Sequence, residues 1–585
     1  MKRVPPFNPG RRRLFAAVMV LAFPAFAALA DNPNSIIYSK HNLSVSSPGS
    51  VHAITESDVC IFCHTPHGAS ATDGPLWNHQ MSTAVYKPYS SATLKAVVGQ
   101  PNGSSRLCLS CHDGTIALGL VGSRVGGIAM NSTAMPSGIN NVGTDLSGDH
   151  PVSFTYDSAL ATAKGGLRDP GTLPPEITLD KNSRLQCTAC HDPHNNQYGN
   201  FLVMDNTGSK LCISCHVMSA WAASTHAVSS KLLPAALVSQ LASKKSGVQS
   251  KVAAAADSVA HTACASCHVP HTAGTKSALM RFSEPEKNCI DCHAGDGPGK
   301  NVSVEVKKAS VHPISMDLNA HNSREDLVNP PVRHVTCADC HNPHATSSAP
   351  GGKNQVSGAL AAVSGVNAGG GILSAVTREY ELCFRCHGDS AARGPARVSR
   401  QVPQTNTRLE FSPGNTSFHP VESLGKNSGV PSLIPPLTTS SLIGCSDCHN
   451  SDQNSATGGS GANGPHGSAY SPLLERMLRL TDGTPYNPSD FALCYKCHSS
   501  SVVDSEQASS WRYHRKHIEE YKAACTTCHD SHAATQPHLI NFNTVYVSPN
   551  NGVLNYTSTG PNHGTCTLTC HDGTGQNKPH TAKSY

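Results

Sequence analysis

The chain has 585 residues with 24 cysteines and 33 histidines, and its charged fraction of 14% is well below the usual value of about 25%. Lys2, Arg3, Arg11, Arg12 and Arg13 account for the whole formal charge of +5, so the remainder is neutral and offers no electropositive footprint for nucleic acid. Beyond residue 30 no stretch is apolar enough to cross a bilayer.

Residues 1–30 read as a secretory signal peptide: a basic start ending at Arg13, an apolar run from Leu14 and a small-x-small ALA before Asp31. Pro24 interrupts the run and argues against an uncleaved membrane anchor. The RRRLF stretch faintly resembles a twin-arginine signal, but general secretion is the simpler reading. The protein is therefore expected to be exported, to the periplasm or the cell exterior of a Gram-negative bacterium.

The rest divides into six units, each with two CxxCH motifs, one histidine upstream of the pair and one just downstream of the first motif. Unit 1 (31–140) holds Cys60, Cys63 and His64, then Cys108, Cys111 and His112, flanked by His52 and His67. In unit 2 (141–222) the motifs are Cys187, Cys190, His191 and Cys212, Cys215, His216, with His150 and His194. Unit 3 (223–300) has Cys264, Cys267, His268 and Cys289, Cys292, His293, with His226 and His271. Cys337, Cys340, His341 and Cys383, Cys386, His387 form unit 4 (301–400), with His312 and His344. Unit 5 (401–505) contains Cys445, Cys448, His449 and Cys494, Cys497, His498; its upstream histidine is His419, and His466, beyond a Gly-rich insertion, takes the downstream role. Unit 6 (506–585) closes the series with Cys525, Cys528, His529 and Cys566, Cys570, His571, plus His517 and His532. Its last motif, CTLTCH, carries one extra residue, expected to form a small bulge in an attaching loop.

A lone CxxC is equally a zinc knuckle, a redox dithiol or a disulfide. Twelve copies, each followed at once by His and together using every cysteine, predict 12 covalently bound haem c groups. Each takes two thioethers from the cysteines and one axial ligand to iron from the adjacent His. With no cysteine spare, an N-terminal lipid anchor is excluded.

The second axial ligand must come from elsewhere. Methionine is too scarce, whereas the upstream and downstream histidines number six and six. From His191 to His194 the backbone spans at most about 10 Å, too little to reach round a porphyrin. His194 and its counterparts must therefore serve a different iron from that of their neighbouring motif, or none; one that does serve an iron ties two haems together. His517 is exchangeable with His514, and His261, His334 and His563 each precede a motif by three residues. His41, His79, His321 and His538 are read as ordinary histidines, and the role of His580 is left open.

CHTPHG, CHDPH and CHVPH, each followed by a second motif such as LCISCH, resemble the doubled-CXXCH multihaem c-type cytochromes of bacteria that respire periplasmic or extracellular acceptors. The resemblance implies bis-histidine ligation, alternating stacked and perpendicular haem pairs, and electron conduction.

The fold class expected is irregular and haem-cored: few short helices, little sheet, long loops and an extended chain of haems. Only residues 231–260 show helical patterning, and Gly, Ser and Pro gather at 122–148, 350–371, 400–440 and 451–468.

Imidazole on both faces of iron leaves no open position and favours low potential, so the first functional expectation is a dodecahaem electron-transfer protein of periplasmic or extracellular respiration, and not an enzyme. Its redox partners would be other cytochromes, an outer-membrane conduit or insoluble extracellular acceptors. The alternatives are a reductase of a small nitrogen or sulfur oxyanion with one vacant haem site, though no CxxCK occurs, and a subunit that self-associates into filaments.

Overall fold

The computed structural model describes residues 32–70, 74–242, 257–295, 297–314, 335–389, 396–506, 511–560, 563–571 and 577–584. The expected signal peptide (1–30), His321, His334, residues 243–256 of the patterned stretch and the side chain of His571 lie outside these. Among the described residues no helix is long and apolar enough to cross a membrane.

Helices are short and irregular stretches dominate, as the composition predicts. The two longest, Gly103–His112 and Glu379–His387, each end on a motif histidine. Glu381 starts the second of these, because its Oε2 accepts the backbone N–H groups of Thr377 and Arg378 at 2.7 and 2.9 Å. The same device is miniaturised inside two motifs: Asp339 of CADCH and Asp447 of CSDCH accept the N–H of Thr336 and Gly444, each at 2.8 Å. In nine motifs the histidine N–H donates to the carbonyl of the first cysteine four residues back, at 2.8 to 3.0 Å, so one helical turn presents two thiols and an imidazole together.

Apolar packing is scattered over small separate clusters. The largest gathers Phe154, Tyr156, Ala161, Ile177, Leu185 and Ala189, and another joins Tyr380, Phe384, Phe411 and Val421. Each sits beside a motif, with Cys215 and Cys445 packed against these two.

The C-terminal segment departs from the expected bulged loop. His563–His571, which contains the whole of CTLTCH, is a strand paired antiparallel with Asn555–Gly560 and Val547–Ser548 along one edge and with Asn577–Ser584 along the other. The reason is legible in HGTCTLTCH: Cys566, Leu568 and Cys570 alternate with β-branched Thr565, Thr567 and Thr569, which is a strand pattern with one apolar face. Leu568 is buried on that face with Phe542 and Val547.

Candidate haem-binding sites

The histidines come together in facing pairs. His64 stands opposite His194 with ring centres 6.2 Å apart, His112 opposite His41 at 6.1 Å, His191 opposite His271 at 6.2 Å and His216 opposite His150 at 6.2 Å. The series continues with His268 and His344 at 6.0 Å, His293 and His226 at 6.3 Å, His341 and His466 at 6.0 Å, and His387 and His312 at 6.2 Å. His449 faces His532 at 6.3 Å, and His529 faces His514 at 6.2 Å. Two imidazoles bound through Nε2 to opposite sides of one metal, with bonds of about 2.0 Å, have centres about 6.3 Å apart. Each of these pairs therefore fits a single iron held between its members, and each contains one motif histidine. His419 acts electrostatically on His498, which places those two near each other as well.

A rule of connectivity follows. The first haem site of each unit is faced by the downstream histidine of the next unit: His194 serves unit 1, His271 unit 2, His344 unit 3, His466 unit 4 and His532 unit 5. The second site is faced by the upstream histidine of its own unit, as with His150, His226 and His312. In unit 6 the first site is faced by His514, within the same unit.

Three expected ligands fall outside this arrangement. His52 faces no described motif histidine; its Nδ1 turns to the carbonyl of Ala53 at 3.0 Å, and its N–H donates to Asn131. His41 takes its place, stacked on Phe201 with ring centres 4.1 Å apart, and Nδ1–H donates to the carbonyl of Pro193 at 3.2 Å. The contact that selects His41 lies in unit 2, far along the chain. His67 is exposed, and among the described residues no imidazole faces it. His517 faces His580 and not a described motif histidine.

On six of the motif histidines the second ring nitrogen is also committed. Nδ1–H of His64, His191, His268, His341, His449 and His529 donates to the backbone carbonyls of Pro75, Asn200, Ala278, Ala359, Pro472 and His538 at 2.7 to 3.0 Å. Such bonds fix the tautomer, leaving the Nε2 lone pair for a metal. On the opposite side the pattern explains the second half of HxPH. His41, His226 and His312 donate to Pro193, Pro343 and Pro465, and His419 donates to Ser531 at 2.5 Å. Each acceptor is the residue just before a downstream histidine, so one peptide carries a ligand for the first site and orients the ligand of the second. In unit 2 the backbone N–H of His150 makes the corresponding bond to Pro270.

Burial, then the charge of neighbouring imidazoles, depresses His150, His344, His449 and His466 to about 4, so they are neutral donors at physiological pH. Two ligands instead have carboxylates at Nδ1. Asp149 stands 3.1 Å from His271 and Glu410 2.8 Å from His532.

None of the 24 cysteines is in a disulfide. Among the described residues no cluster of three or more His, Cys, Asp or Glu could hold a bare metal ion. The thiols instead approach each other in chain order. The first cysteine of each second motif lies against the first cysteine of the next unit's first motif: Cys108 with Cys187, Cys212 with Cys264, Cys289 with Cys337, Cys383 with Cys445 and Cys494 with Cys525. Within a unit, the second cysteine of the first motif interacts with the second motif: Cys63 with Cys111, Cys190 with Cys215, Cys267 with Cys292, Cys340 with Cys386, Cys448 with Cys497, and Cys528 with Cys570.

Facing imidazoles beside paired thiols define the attachment and ligation sites of c-type haems. Residues 182–220 and 257–298, the two motif pairs of units 2 and 3, match the family described as doubled CXXCH motif. The chain is a multihaem c-type cytochrome. No curated protein matches it.

Proposed function

We propose that the chain carries twelve haems, conducts electrons along them and has no substrate site of its own. Electrons enter from one redox partner and leave to another, with other cytochromes, an outer-membrane conduit or an insoluble extracellular acceptor as the partners. It works in anaerobic respiration after export to the periplasm or outer surface. The observation that carries this reading is the ring-to-ring pairing, which leaves both axial positions of an iron occupied and suits outer-sphere transfer over reaction with a small oxyanion. The succession of thiol contacts supports a further point: haems would follow one another in space as their motifs do in sequence, giving one unbranched path.

The holoprotein tests this directly. Mass spectrometry should find twelve covalent haems, and low-temperature EPR of the oxidised form should contain low-spin signals alone. A high-spin signal equal to one haem would instead establish a reductase-type vacancy. A count far below twelve would remove the path.

A further inference from the structure

We propose that the iron of the twelfth haem is clamped between His517 and His580, two histidines outside every CxxCH motif, so that His571 of CTLTCH is not its ligand. The inference rests on the multihaem reading and on geometry peculiar to unit 6.

The ring centres of His517 and His580 lie 6.3 Å apart, the separation found for His293 and His226 and for His449 and His532, where one member belongs to a motif. Here neither does. Connectivity assigns His517 to the same iron independently: in units 2 to 4 the upstream histidine faces the second site of its own unit, and the second site of unit 6 is the one tethered by Cys566 and Cys570.

The strand ladder delivers His580. Leu568 pairs directly with His580 across the antiparallel strands, and directly opposed residues project to the same face of a sheet. By strand alternation Cys566 and Cys570 share the face of Leu568, so the imidazole stands beside both tethering thiols. Cys528, from the first motif of the unit, senses Cys570 and Cys566, so the tether occupies the place next to the eleventh haem that second motifs hold elsewhere.

An imidazole that follows its cysteine directly reaches the iron in the other motifs because a helical turn folds the three residues together. In CTLTCH that turn is replaced by extended chain, with Cys570 paired to Lys578 and Val547. His517 is held from the other side, its Nδ1–H donating to the carbonyl of Tyr513 at 2.9 Å. One iron has two axial positions, and these two rings fill both.

The test compares His580→Ala and His571→Ala in the full-length holoprotein, counting covalent haem by mass and spin state by EPR, with carbon monoxide binding to the reduced form as a second readout. His580→Ala should keep the wild-type haem mass, convert one haem equivalent from low to high spin and bind one carbon monoxide per chain. His571→Ala should develop neither feature. A second variant, His580→Met, should show the methionine-to-ferric-iron absorption band for one haem, which a merely structural role would not produce. The proposal is overturned if His580→Ala stays fully low-spin, if His571→Ala is the variant that turns high-spin, or if His580→Met lacks the band. Failure of the multihaem reading would appear separately, as a deficit of many haem masses in the unsubstituted protein.

Discussion

Glu410 and Asp149 show how single residues would set individual haems apart. A carboxylate at Nδ1 makes the imidazole a stronger donor and favours the more positive iron, lowering the potential of the site. Glu410→Gln should therefore raise the potential of the one haem served by His532. A differential of about 1 kcal/mol corresponds to about 40 mV for one electron, which a spectroelectrochemical titration resolves. At this scale the motif residues were fully legible, since each triplet is local in sequence. His41 was not: its selection depends on Phe201 and the Pro193 carbonyl, contacts about 150 residues away that no repeat announces.

The HxPH tether is the element that couples neighbouring sites. Because the carbonyl before the downstream histidine orients the next ligand, the proline ring matters less than the spacing. Pro343→Ala retains the carbonyl that accepts from His226 and should leave every haem low-spin. Inserting one glycine between His191 and His194 should instead release His194 and turn the haem of His64 high-spin, while the haem of His191, whose facing ligand is His271, stays low-spin. EPR on the insertion variant distinguishes this from the reverse assignment. The short reach from His191 to His194 was enough to read from sequence that the two serve different irons. Which iron each serves was not, because that is decided by how successive units fold over one another. The C-terminal sheet was missed although its alternation was visible: the CH motif claimed CTLTCH as a turn and masked a two-residue period.

Across the whole molecule the six units are interlocked, not beads joined by loops. Each of the first five has its leading site completed by a histidine of its successor, while unit 6 completes its own with His514. Ending the chain after residue 505 should therefore harm a haem that remains attached: the site of His449 loses His532 and should become high-spin and carbon monoxide-reactive. Independent domains would show no such change in the retained part. The expected irregular architecture with small helices is what the structure has, since composition alone denies this chain an ordinary core. The order of sites was beyond sequence, because motif spacing carries no record of which thiols touch.

The same interlocking dictates how such a molecule must mature. On the proposed route of export, N-terminus first into the compartment where haem is attached, the chain presents His64 long before His194 arrives to face it. The leading centre of each of the first five units waits, half-coordinated and open to oxygen or stray ligands, until its facing histidine arrives about another hundred residues later, whereas second centres find theirs already present. Assembly on that route is thus a travelling front with one immature centre at its edge until unit 6 is reached, and a stalled intermediate should betray itself by a single ligand-hungry iron.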